Sequence, residues 1–123
     1  MKKIFSFILL LLLVLEMVAC GNKTPFEIAE SKLDESEMSK DEYSISEIAN
    51  FESRFAKMEL SGGFSKVYHY RSKTDYAYLI VFENEGDAKT FYEKIGTAKY
   101  NVVMSKDVVV YGESDWIDKI KFE

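Results

Sequence analysis

Residues 64–82 read FSKVYHYRSKTDYAYLIVF, and the division of this stretch decides the fold. Phe64 to Arg71 and Tyr76 to Phe82 are rich in aromatic and β-branched side chains, and Ser72-Lys73-Thr74-Asp75 between them are turn formers. The pattern is a β-hairpin. Its second arm does not alternate as a half-exposed strand should: Tyr76, Tyr78, Ile80 and Phe82 fall on one face, Ala77, Leu79 and Val81 on the other, and both sets are apolar. Either the strand is central and covered on both sides, or one face is left as a contact surface.

Working outward, Ser44-Ile45-Ser46-Glu47 is a capping box, with Tyr43 placed to staple onto Ile48. Ile48, Phe51, Phe55 and Met58 follow at helical spacing until Gly62-Gly63, which predicts an amphipathic helix ahead of the hairpin. After the hairpin, Asn84 caps a second helix carrying Ala88, Phe91, Tyr92 and Ile95 on one stripe, and Gly96 stops it. Lys99–Met104 and Val108–Tyr111 form a second hairpin around Ser105-Lys106-Asp107, and a terminal helix begins near Ser114 with Trp116, Ile117 and Ile120. Ile48, Phe51 and Phe55 repeat as Ala88, Phe91 and Ile95 at a constant offset of 40, a faint internal repeat of helix plus hairpin. The expected fold is α+β, a two-layer domain over residues 44–123. A four-stranded antiparallel sheet has its helices packed on one face, in the order α-ββ-α-ββ-α.

The hairpin register determines what the free sheet face offers. An odd-length turn sets Tyr70 opposite Tyr76 and Tyr68 opposite Tyr78, a tyrosine ladder; an even-length turn places His69 and Arg71 among Tyr76 and Tyr78. Tyr68, Tyr70, Tyr76 and Tyr78 are therefore the expected binding surface, since tyrosine combines rigid contact area with a polar tip. The same residues would equally serve to fill the core or brace the sheet edge.

The first residues set the location. Lys2 and Lys3 precede an apolar run from Ile4 to Leu15, and Glu16 leads into Met17-Val18-Ala19-Cys20-Gly21. The run is short for a spanning helix, which needs roughly 20 apolar residues, and has the layout of a secretory signal. Met17-Val18-Ala19-Cys20 resembles the lipobox of bacterial lipoproteins, with Met17 where leucine is usual. The resemblance implies cleavage before Cys20 and a covalent diacylglycerol on Cys20, with or without an N-acyl chain; no other cofactor is expected. It places the protein on the extracytoplasmic face of the cell membrane. An ordinary secretory signal followed by a free thiol is the other reading of these residues. Two acyl chains suffice for stable attachment where one is marginal. The use of 14 lysines against two arginines points weakly to a Gram-positive source.

Loss of Lys2, Lys3 and Glu16 with residues 1–19 takes the net charge from -5 to -6, so neither nucleic acid nor an anionic lipid surface is an expected partner. Acid concentrates between Glu27 and Glu47, and residues 20–43 are read as a solvated tether. Within it, Thr24-Pro25-Phe26-Glu27 carries the signature of a short helix reaching about Leu33. The segment lacks the aspartate spacing and glycine of an EF-hand loop.

Catalytic motifs are scarce. His69 is the sole histidine and Cys20 the sole cysteine, which leaves no multi-histidine or thiolate metal site. There is no Gly-x-Ser-x-Gly elbow and no phosphate loop. The leading expectation is a non-enzymatic envelope lipoprotein whose small domain binds a protein or peptide. The alternatives are an immunity lipoprotein directed at a bacteriocin or phage component, favoured by the acidic charge, and a small hydrolase using His69 as base.

Overall fold

The structure, a computed structural model, describes residues 23–96 and 100–122; the lipobox and Cys20 lie outside the described residues. Thr24 accepts a hydrogen bond from the Glu27 amide and starts helix α1 (Pro25–Asp34), and strand β1 (Ser39–Glu42) follows. The capping box at Ser44 opens α2 (Ile45–Ser53), with both of its reciprocal hydrogen bonds formed. A 3-10 turn (Ala56–Met58) leads to the hairpin β2 (Phe64–Arg71) and β3 (Tyr76–Phe82). Helix α3 (Glu85–Ile95) precedes β4 (Asn101–Ser105) and β5 (Val108–Gly112), and a 3-10 turn (Asp115–Lys119) closes the described chain.

The fold is α+β, but the sheet has five antiparallel strands, in the order β1-β2-β3-β5-β4, rather than four. The additional strand comes from the stretch read as tether. Ser39 to Glu42 pair with Arg71 to Tyr68, and the amide of Tyr43 continues the ladder onto the Val67 carbonyl at 2.9 Å. The ordered fold therefore starts well before Ser44. The terminal helix is also corrected, to a short 3-10 turn.

Helices cover both faces, not one. On the first face α1 and the C-terminal 3-10 turn lay Ala29, Leu33, Ile117 and Ile120 against Leu79, Val108 and Val110. On the second, α2 and α3 lay Phe51, Ala88, Phe91 and Ile95 against Val67, Ile80, Phe82 and Val109. This accounts for the absence of alternation in β3 and β5: both are interior strands of the sheet, sandwiched between helices, so every position sees an apolar neighbour. The two helix-plus-hairpin units of the faint repeat do place Phe51 and Phe91 on a common face.

A bulge at Ser65 shifts the register between Phe64 and Lys66, and so turns Phe64 onto the same face as Val67. The preceding Gly62-Gly63 loop is held by Asp87 of α3, whose carboxylate accepts from the amides of Ser61, Gly62 and Gly63 at 2.9, 2.7 and 2.9 Å. Thr24 and Pro25 lie beside the β4–β5 turn, bordering a shallow cleft with Lys106 and Asp107, at the end of the sheet opposite the β2–β3 loop.

Candidate functional site

The β2–β3 loop is four residues long, so the even register holds. Arg71 faces Tyr76, His69 faces Tyr78 and Tyr70 faces Ala77. The Ser72 amide donates to the Asp75 carbonyl at 2.8 Å, and the Ser72 hydroxyl accepts from the Asp75 amide at 3.1 Å, which locks this geometry. No tyrosine ladder forms; the four tyrosines divide between the two faces.

Tyr68 and Tyr70 face α1 and are buried. Tyr68 packs against Phe26 at 5.4 Å, and the Tyr70 hydroxyl donates to Asp34 Oδ1 at 3.2 Å. Burial pushes the Tyr70 phenol up to about 12. Lys40 of β1 sits over both rings, 5.0 and 5.7 Å from their centroids, and ion-pairs with Glu30 of α1 at 2.6 Å. The acidic residues read as tether charge thus dock the helix. These two tyrosines are structural, since a docked α1 covers them. Tyr70→Phe is expected to lower stability by about 1 kcal/mol, the net contribution of one hydroxyl hydrogen bond. Urea denaturation measures it, and an unchanged midpoint would show that the Asp34 bond contributes nothing.

Tyr76 and Tyr78 point to the other face, where α2 ends short of the β2–β3 loop and leaves a groove of about 580 Å³. Its floor is a row of rings, one from each of three strands. His69 stacks on Tyr78 with centroids 4.4 Å apart and planes 6° apart, and Tyr78 stacks on Tyr111 at 5.2 Å and 18°. Tyr100, just before β4, closes the row edge-on to Tyr111 at 5.4 Å. Because cross-strand neighbours are stacked on one another, the rings stand up from the sheet and meet the groove with their edges.

Arg54 and Phe55, at the end of α2, form one wall; Arg71 and Lys73 stand at the hairpin end. Arg54 lies over the Phe51 ring at 5.8 Å and makes no ion pair among the described residues, whereas Arg71 meets Asp41 at 3.5 Å on the open surface. Both arginines of the chain and its one histidine therefore border a single groove. Burial and the Arg71 guanidinium hold the His69 imidazole below its ordinary value, which leaves it neutral at pH 7. Beside the groove, burial and hydrogen bonding to Tyr78 push the Tyr43 phenol up to about 12.

Sequence reasoning brought Tyr76, Tyr78 and, through the even register, His69 and Arg71 to one face. It missed Arg54, Tyr100 and Tyr111. The available signal was the placement of the two arginines among aromatic residues in a chain otherwise using lysine. No serine hydroxyl or carboxylate hydrogen-bonds His69 among the described residues; its neighbours are the rings of Tyr43, Tyr76 and Tyr78. Among the described residues no cluster of His, Cys, Asp or Glu is arranged to hold a metal ion, and no helix is long and apolar enough to cross a membrane. Comparison with protein-family models, with curated proteins and with solved structures found no match.

Proposed function

We propose that the chain is a lipid-anchored, non-enzymatic protein of the cell envelope, held by a diacylglycerol on Cys20, whose domain binds a protein or peptide partner in the groove between α2 and the β2–β3 loop. The observation that carries this reading is the collection of Arg54, Arg71, His69, Tyr76, Tyr78 and Tyr100 around one cleft in an acidic chain. Aromatic and arginine side chains are the residue types that dominate binding energy at protein interfaces. The cationic wall supports an anionic partner rather than the cationic toxin peptide that net charge alone suggests.

Two measurements test it. Cys20→Ala is expected to move most of the protein from the membrane fraction to the soluble fraction, and undiminished membrane retention would refute the anchor. A photo-cross-linking residue at Thr74, on the groove rim, is expected to give a partner adduct in intact cells that the same residue at Glu93, on exposed α3, does not. Identical adducts from both positions would refute the groove as the binding site.

A further inference from the structure

Resting on the reading of this groove as a partner site, we infer that it takes a short acidic peptide segment. The carboxylates lie against Arg54 and Arg71, and uncharged residues run toward Tyr111 and Tyr100. Three features lead there. The groove crosses four strands, and three spacings of about 4.8 Å give it a length of about 14 Å, room for roughly four extended residues. Its floor presents ring edges, since His69, Tyr78 and Tyr111 are stacked face to face. The faces that these three rings turn to one another are closed to a stacking sugar ring, while an imidazole and guanidinium groups stand beside them to donate hydrogen bonds.

The third feature is the uneven distribution of charge. Arg71, which also meets Asp41, stands with Lys73 and Asp75 at the β2 side, and Arg54 projects from just after α2, whereas the uncharged Tyr100 and Tyr111 line the β5 and β4 side. A polymer with a negative charge on every unit would set charges against the phenols of Tyr100 and Tyr111 as well as against the guanidinium groups. A segment with one or two carboxylates at one end matches the distribution, and arginine binds a carboxylate with two parallel hydrogen bonds.

The test is fluorescence anisotropy with the full chain in detergent micelles and a labelled hexapeptide bearing two glutamates followed by uncharged residues. The expected result is saturable binding that weakens by about tenfold or more when the glutamates become glutamines, and by about tenfold in Arg54→Gln and in Arg71→Gln. Lys89→Gln, on the exposed surface of α3, is expected to leave it unchanged. Equal affinity for the glutamine peptide, insensitivity to both arginine variants, or preference for poly(glycerol phosphate) over the glutamate peptide would each overturn the inference. If the Thr74 adduct forms while the glutamate peptide shows no preference, the partner groove stands and its acidic specificity falls.

Discussion

Asp87→Asn is expected to lose about 3 kcal/mol of folding stability although it exchanges a single heavy atom. Each carboxylate oxygen of Asp87 accepts from the backbone: Oδ1 from the Ser61 amide at 2.9 Å and its hydroxyl at 3.1 Å, Oδ2 from the amides of Gly62 and Gly63 at 2.7 and 2.9 Å. The Asn84 side-chain NH₂ donates a further bond to Oδ2 at 3.2 Å. An asparagine must turn its NH₂ toward one of these sets, so at least one backbone amide meets a donor. Hydrogen bonds to a charged group contribute about 1.5–3 kcal/mol, and an unsatisfied buried amide adds a desolvation cost. Loss of hydration raises the Asp87 pKa, but the amides of Gly62, Ser61 and Gly63 outweigh it and hold the group below its ordinary 3.8. The folded pKa is thus the lower one. Its stabilisation is complete above the unfolded value and is lost as pH falls through the folded value. The difference between wild type and Asp87→Asn should be constant from neutral pH to about 5 and shrink below about 4. A difference that persists undiminished at the acid end would show that charge is not the cause. Because the same loop joins α2 to β2, the variant should also loosen the Arg54 wall and weaken peptide binding.

Phe91→Ala is expected to cost about 4 kcal/mol, a large share of the 5–15 kcal/mol typical of a domain. Phe91 is fully buried, and its ring lies 5.0 Å from Phe55, 5.7 Å from Phe64, 5.4 Å from Phe82 and 5.5 Å from Tyr111. Its neighbours come from the turn after α2 and from β2, β3 and β5, so no single shift can close the cavity. Two of them, Phe55 and Tyr111, also line the groove, which ties core packing to the site. Urea denaturation followed by the fluorescence of Trp116, on the opposite sheet face, measures the loss and tests whether the two cores unfold together. A cost below about 1 kcal/mol would mean that the second core is loosely packed.

The parts of the fold legible in the sequence are those with local signatures. The caps at Thr24, Ser44 and Asn84 and the 3.6-residue stripes found the helices, and the runs of β-branched and aromatic residues found both hairpins. Strand β1 was illegible for a physical reason. Ser39, Lys40, Asp41 and Glu42 are all exposed, and their pairing rests on backbone hydrogen bonds that leave no hydrophobic pattern. Charged side chains of this kind are how an edge strand discourages unwanted pairing, so the feature that protects the sheet also hides the strand. Glu30, Asp34 and Lys40 were misread with it, because charges that dock a helix have the same composition as charges that solvate a tether. The site was half legible: Tyr76, Tyr78 and His69 follow from strand alternation and register, but Arg54 and Tyr100 reach the groove only through tertiary packing.

The early start of α1 has a geometric consequence if Cys20 carries the proposed lipid. Thr24 is four residue steps from Cys20, a leash of about 14 Å even when fully extended. That is shorter than the domain's own diameter, roughly 30 Å or more for a chain of this size. A domain anchored in this way would stay close to the headgroups, and the connection enters it at Thr24, beside the β4–β5 turn. The groove sits at the other pole, some 20 Å away along the strands and on the sheet face opposite α1. On the proposed anchor, so short a connection would serve as an orienting mount, with the arginine-lined cleft at the pole turned away from the headgroups.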